Sequence, residues 1–185
     1  MPAVPPPLER AKQAIVAFDE LVDRRVDQVR GHQALDRLQY GASEVGDWSL
    51  LWHTLGAGQA LLPGRDPMTA VRLSAILAAE SLLVNGAVKG LFRRHRPVWE
   101  EDRPRPHRIR TPQTSSFPSG HASAAFTTAV VLGQGDPLWP AYCAVAVTVS
   151  ASRVYVKMHH ASDVLAGAAL GIGIGLLARR LWPKP

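Results

Sequence analysis

The chain has 185 residues, with 21 Lys and Arg against 15 Asp and Glu, which gives a formal charge of +6. Its length suits one domain, residues 1–185, and its single cysteine, Cys143, excludes an intrachain disulfide framework. The positive charges cluster beside apolar runs. An anionic membrane surface or a phosphate ligand therefore fits the charge better than nucleic acid, and no nucleic-acid partner is expected.

The N-terminal region, residues 1–46, predicts an amphipathic helix over residues 8–40. Apolar residues recur every three or four positions from Leu8 to Val29, with Asp, Glu and Arg between them. A helix with so many charges cannot span a bilayer. It either packs on the rest of the protein or lies on the lipid interface.

Apolar segments in the rest of the chain predict about five transmembrane helices. The segments are 48–62, 69–92, 121–133, 138–158 and 163–182. In the last segment Gly167, Gly171 and Gly175 lie four apart, a spacing that lets helices pack closely in lipid. The loop 93–116 is crowded with Arg, His and Pro, and its prolines forbid a regular helix. The predicted fold class is all-α, a polytopic membrane helical bundle.

Glu80 lies inside the predicted helix 69–92. A carboxyl group within a membrane is a candidate functional group, because an unpaired charge is costly there. The alternative is a neutral glutamic acid in a hydrogen bond.

The segment Phe117–His121 predicts a turn that enters a helix. Ser119 and Gly120 would present a hydroxyl and backbone N–H groups at the positive end of that helix, where a phosphate binds well. Gly120 lets the backbone approach a ligand closely. His121 follows in the first turn, with a ring that exchanges a proton near neutral pH.

Two flanking segments add charge and a second histidine. Lys89 and Arg96 border the basic loop, and Arg153 lies near the end of the helix 138–158. His159 and Asp163 are four residues apart, so on one helix the carboxylate would reach the imidazole. These three cations, together with a helix N-terminus, would neutralise a phosphoryl group, while two histidines could serve as nucleophile and acid. The predicted crossings bring all these residues to one face of the membrane.

The motifs together resemble the signature of the type 2 phosphatidic acid phosphatase family of membrane lipid phosphatases. The three parts are K-x6-RP at Lys89–Pro97, PSGH at Pro118–His121 and SR-x5-H-x3-D at Ser152–Asp163. All three match without a substitution, and the catalytic motifs span residues 89–163.

The resemblance implies a role for each matched residue. His159 would attack phosphorus and form a phosphohistidine, Asp163 would orient His159, and His121 would protonate the leaving oxygen and then activate water. The residues expected to hold the phosphate oxygens are Lys89, Arg96, Ser119, Gly120 and Arg153. The family uses no metal, and no cofactor is expected.

Two alternatives use the same residues differently. His121, His159, His160 and Asp163 could bind zinc, although the chain lacks a compact pair of ligands beyond His-x3-Asp. A non-enzymatic anion-binding membrane protein or transporter would need the cations but not His159 as a nucleophile.

The predicted activity is hydrolysis of a lipid phosphate monoester or pyrophosphate. Polyprenyl-linked substrates, including a polyprenyl-phosphoryl-sugar phosphate, and glycerolipid phosphates both fit the sequence. Five cations lie on the face away from the motifs, and the other sixteen lie on the motif face or in the N-terminal helix. The five are Arg65, Arg72, Arg179, Arg180 and Lys184. The positive-inside rule then predicts that the active site faces the cytoplasm. The composition, rich in Arg, Ala, Gly and Pro, favours a bacterial source and hence the inner membrane.

Overall fold

The computed structural model describes residues 6–99 and 113–183, apart from the side chain of Trp48. Every regular element in this part of the chain is helical, so the all-α prediction is confirmed. The helices are α1 (Pro7–Asp27), α2 (Gln33–Val45), α3 (Leu50–Ala60), α4 (Thr69–Ser81), α5 (Gly120–Leu132), α6 (Trp139–Tyr155) and α7 (Ala161–Leu181). The predicted loop is irregular at 92–99 and 113–119, and its middle lies outside the described residues.

The N-terminal region forms two helices where the sequence predicts one. α1 ends at Asp27, and Gly31 adopts a φ of 90°, which a residue without a Cβ atom reaches at little cost. The chain turns there, and α2 begins at Gln33. The predicted helix extends to residue 40 because the composition stays helical beyond Val29, and composition does not reveal the turn.

Helix α1 contacts the rest of the protein through the face that carries Asp19. Asp19 is only 5% exposed and accepts hydrogen bonds from the backbone N–H and the hydroxyl of Ser162, at the start of α7. The other side of α1 exposes charged residues such as Glu20 and Arg24 together with apolar residues such as Leu8 and Ile15. Part of the apolar surface of α1 is therefore left outside the protein core.

Helix α5 packs mainly against α7 and α6. A Cβ atom on Gly167 or Gly171 of α7 would collide with the backbone carbonyls of Ser119 and Ser123. Gly175 is buried on the same face of α7. The predicted glycine stripe is therefore confirmed as a surface for close helix packing. It fixes the start of α5 beside the start of α7, where most motif residues lie.

Two helices among the described residues are long and apolar enough to cross a membrane, judged by length and composition. One is α7, with 21 residues, and the other is Thr69–Leu91, with 23. The latter continues α4 through a π-helical stretch, Leu82–Val88, and a 3-10 turn, Lys89–Leu91. The other three predicted crossings are shorter helices, with 11 residues in α3, 13 in α5 and 17 in α6.

Candidate active site

The segment before α5 enters the helix as the sequence predicts. Ser119 is the N-cap, fully buried, and its hydroxyl accepts a 3.4 Å hydrogen bond from the N–H of Ala122. Gly120 and His121 follow, and both line a cavity of about 360 Å³. A Cβ atom on Gly120 would lie 2.5 Å from Oδ1 of Asn85, so a larger residue here would have to displace that side chain. Of the predicted Ser-Gly pair, the glycine lines the cavity, while the serine hydroxyl caps the helix.

His159 lies in the turn before α7 rather than on the helix, because α7 begins at Ala161 and His160 is its N-cap. Its Nδ1 donates to the backbone carbonyl of Ser116 at 2.7 Å. A carbonyl only accepts hydrogen bonds, so the proton of the neutral ring is on Nδ1 and Nε2 keeps its lone pair. Nε2 lies 3.4 Å from Nη1 of Arg96, at the cavity.

The surroundings of His159 favour a neutral imidazole. Burial of the ring lowers its pKa from 6.5 to about 4. The positive charges of Arg96, Arg153 and Lys89 act in the same direction, and the Asp163 carboxylate opposes them. At neutral pH the ring is therefore uncharged, and Nε2 offers an unprotonated lone pair, as a nucleophile requires.

The predicted pairing of His159 with Asp163 is looser than a direct hydrogen bond. Oδ2 of Asp163 lies 3.8 Å from Nδ1 of His159. The same oxygen accepts a 2.9 Å hydrogen bond from the backbone N–H of His160. The carbonyl of Ser116 therefore sets the tautomer of His159, and the buried carboxylate adds a negative charge behind the ring.

Asp163 is held by a chain of charged hydrogen bonds, which the sequence does not predict. Arg94 donates from Nη1 to Asp163 and from Nη2 to Asp19, both at 2.5 Å. Arg94 also donates to the hydroxyl of Ser162, which itself donates to Asp19. Arg94 is close to the Arg96–Pro97 motif in sequence, but nothing in the pattern of α1 marks Asp19.

Three predicted cations line the cavity: Lys89, Arg96 and Arg153. Nη1 of Arg96 donates to the carbonyl of Met158 at 2.6 Å. Arg153 is 2% exposed and donates from Nη1 to Oγ of Ser43 at 2.6 Å. These bonds hold the guanidinium groups in place, and three positive charges around one cavity can stabilise a phosphoryl group and its transition state.

Glu80 also lines the cavity and is only 2% exposed. Its Oε1 has no hydrogen-bond partner among the residues that the structure describes. Of the two interpretations offered by the sequence, this position favours a functional carboxyl group, because the cavity is where a ligand would meet it.

The zinc alternative finds no support in the geometry. Within 6–99 and 113–183, no group of three or more His, Cys, Asp or Glu side chains is arranged to hold a metal ion. Nε2 of His159 instead faces a guanidinium group, and a cation is a poor neighbour for a metal ligand.

The motifs and the helical fold described above are shared with a known protein family. The chain is a member of the PAP2 superfamily, whose family model matches residues 69–185. It is a lipid phosphatase of this superfamily, which is a family of metal-independent hydrolases. The resemblance carried by the three motifs is thereby confirmed, and family membership favours the enzyme over the non-enzymatic alternative.

Curated relatives and solved structures agree with this assignment. The decaprenylphosphoryl-5-phosphoribose phosphatase of Mycobacterium tuberculosis is 30% identical over 171 residues, which is 91% of each chain. A transmembrane PAP2 type phosphatidylglycerolphosphate phosphatase from Bacillus subtilis shares the fold, with a TM-score of 0.69 and 24% identity over 91% of this chain and 86% of that one. LpxE of Aquifex aeolicus matches with a TM-score of 0.69 and 26% identity, over 86% of this chain and 93% of that one.

Proposed function

We propose that this phosphatase removes the terminal phosphate from a polyprenyl-linked lipid, through a phosphohistidine on His159. The observation that carries the proposal is the neutral ring of His159, whose Nε2 faces the cavity lined by three cations. The relative from Mycobacterium tuberculosis is named for a decaprenylphosphoryl-5-phosphoribose. Its name supports a polyprenyl-phosphoryl-sugar phosphate as the substrate class.

In the first chemical step, Nε2 of His159 attacks phosphorus. The N–P bond forms as the P–O bond to the lipid alcohol breaks, and His121 gives its proton to the departing oxygen. Lys89, Arg96 and Arg153, with the N–H groups at the start of α5, neutralise the phosphoryl oxygens.

In the second step, a water molecule attacks the phosphohistidine. His121, now neutral, accepts a proton from this water as the new P–O bond forms. The N–P bond breaks, and its electron pair returns to Nε2 of His159. Inorganic phosphate leaves, and both histidines recover their starting states.

The polar wall of the cavity supports a leaving group that carries hydroxyls. Glu80, Ser81 and Asn85 all line it, and Oε1 of Glu80 has no hydrogen-bond partner within the described residues. A carboxyl oxygen in this position can accept from a sugar hydroxyl. A site that binds hydroxyls in this way selects strongly against substrates that lack them.

The proposal includes five membrane crossings, formed by α3 to α7. The exposed apolar residues of α1 support a position for that helix in the lipid interface, with Asp19 turned towards α7. The cavity would then lie at the cytoplasmic interface of a bacterial inner membrane, since most of the Lys and Arg lie on its side.

A phosphate-release assay on the detergent-solubilised protein tests the substrate class. The panel contains a polyprenyl-phosphoryl-ribose 5-phosphate, a polyprenyl phosphate, a polyprenyl diphosphate and phosphatidic acid. We expect the highest kcat/KM for the sugar phosphate, and a loss with Glu80→Gln that is confined to this substrate. Preference for phosphatidic acid would contradict the substrate class, and full activity of His159→Ala would contradict the mechanism.

Cysteine labelling tests the proposed side of the membrane. In a Cys143→Ala background, Gln113→Cys reports on the cavity side and Pro63→Cys on the opposite loop, since both residues are exposed. An impermeant maleimide added to intact cells should label position 63 and spare position 113. The reverse pattern would move the active site to the outer face.

A further inference from the structure

The turn between α2 and α3 brings a carboxylate to His121. Oδ1 of Asp47 lies 2.8 Å from Nε2 of His121 and 3.5 Å from Nη1 of Arg153. A carboxylate only accepts hydrogen bonds, so Nε2 donates to it. Asp47 lies outside residues 69–185, the part matched by the family model, and none of the three sequence motifs includes it.

The backbone around Asp47 lies close to α5 and α6, which lets the carboxylate reach His121. A Cβ atom on Gly46 would lie 2.8 Å from Cγ1 of Val149 and 3.6 Å from Cδ2 of His121, so the chain passes close to α5 and α6. Ser49 adopts a left-handed conformation, with φ at 58°. This conformation is uncommon for a residue other than glycine, and such residues are concentrated at functional sites.

The contacts also show which nitrogen of His121 is already bonded to the protein. The Cδ2–Nε2 edge of the ring is turned to Gly46 and Asp47. Gly46 and Ser49, on either side of Asp47, line the cavity together with His121. The nitrogen that remains for a ligand in the cavity is therefore Nδ1.

We propose that Asp47 is a positioning residue, which holds His121 by Nε2 so that Nδ1 exchanges the proton with the leaving-group oxygen and then with water. This inference rests on the proposed function of His121. Nδ1–H gives its proton to the oxygen as the P–O bond breaks, and Nδ1 accepts one from the attacking water. The Asp47 carboxylate keeps its bond to Nε2–H in both steps and stabilises the charged ring.

The carboxyl group of Asp47 is charged at neutral pH. Burial on its own would raise the pKa of the carboxyl, but the hydrogen bond with His121 and the charge of Arg153 lower it below its usual value. Arg153 is itself held by Ser43 at the end of α2. The end of α2 and the following turn therefore fix the acid histidine and one phosphate-binding arginine together.

The test compares Asp47→Asn on two substrates, a polyprenyl-phosphoryl-ribose 5-phosphate and p-nitrophenyl phosphate. The sugar alcohol is a poor leaving group that needs a proton, whereas p-nitrophenolate leaves without one. We expect kcat for the lipid to fall by about tenfold or more, with little change in KM. The rate for p-nitrophenyl phosphate should change by less than about threefold, since acid catalysis contributes little there. Asp47→Glu should recover part of the lost activity on the lipid.

The control is Glu44→Gln, which removes the same charge from an exposed position near the end of α2 and should leave both rates unchanged. In a His121→Ala background, Asp47→Asn should have no further effect, because the two residues act as a unit. Equal losses on both substrates, an effect on KM alone, or additive losses in the double variant would overturn the inference. If wild type hydrolyses the lipid, His159→Ala does not, and Asp47→Asn behaves as wild type, then this inference fails while the proposed function stands.

Discussion

The residues matched by the family, 69–185, and the N-terminal helices before them contribute to the cavity in different ways. The matched part supplies both histidines and all three cations that line the cavity. The N-terminal part supplies Asp19, Ser43 and Asp47, and these side chains bond to Arg94, Arg153 and His121. One region therefore presents the groups suited to phosphate chemistry, and the other holds those groups in position.

This division explains why motifs could be recognised in one region and not in the other. A group that touches phosphorus must have a particular chemistry, so its residue type is fixed. A supporting group needs only to donate or accept at the right place, and many sequences can provide that. The two regions should therefore differ in how much activity is lost when one of their side chains is changed.

The largest loss is expected for His159→Ala. Removal of the proposed nucleophile should lower kcat by about 10⁴-fold or more, as for other enzymes whose covalent intermediate is abolished. Trapping of acid-labile phosphate on the protein measures the intermediate directly. His160→Ala is the neighbouring control. It keeps the backbone N–H of His160 that donates to Asp163, so the phosphoenzyme should still form.

The second largest loss of activity is expected when a cation proposed to bind phosphate is removed. Arg96→Ala should reduce kcat/KM by about 10²- to 10³-fold, since Arg96 lies beside Nε2 of His159 and faces the cavity. Arg93→Ala removes the same charge from an exposed position in the same loop and should have a much smaller effect. Equal losses would indicate that the net charge of the loop, rather than its geometry, matters.

In the N-terminal part, Asp19→Asn should reduce kcat by about tenfold, because Asp19 acts on His159 only through Arg94 and Asp163. Glu20→Gln is its matched control, since Glu20 is exposed and its ion pair with Arg24 is on the surface. A loss for Asp19→Asn as large as that for Arg96→Ala would break the division between the two regions.

The contact between α5 and α7 can be tested through stability. Gly171→Ala should destabilise the protein by about 1–3 kcal/mol, because the new methyl group would collide with the backbone of Ser123. Gly173→Ala, on the same helix, meets nothing within 4 Å and should leave Tm unchanged or slightly higher. Thermal unfolding in detergent micelles compares the two variants.

The smallest expected effect is the dependence of the reaction rate on pH. With its pKa lowered to about 4, His159 stays neutral until the solution is strongly acidic. The rate of phosphoenzyme formation should therefore be halved near pH 4, through protonation of Nε2. An acid limb near pH 6.5 in rapid-quench measurements would contradict the buried environment of the ring.

The same pKa shift should also reduce stability in acid. The unfolded chain binds the His159 proton at about pH 6.5 and the folded chain only at about pH 4. Stability is therefore lost as the pH falls through this interval. Recovery of the rate after neutralisation separates protonation of the nucleophile from unfolding.

The helical class, the three motifs and the glycine stripe on α7 could all be predicted from the sequence. Each of these is a local property, because a helix period, a motif spacing and a four-residue repeat are all complete within one segment. The sequence also predicts that the charged residues and both histidines lie on one face of the membrane, since the order of the apolar segments implies where each loop lies.

Which atoms meet at the site depends on how the helices pack, and the sequence does not show this. His159 lies in a turn and donates to the Ser116 carbonyl, whereas the sequence spacing suggested a direct helical pair with Asp163. The bonds of Asp19 and Asp47 depend on how α1 and the turn after α2 pack on α5, α6 and α7. Such contacts join segments that are far apart in the chain, and no local pattern records them.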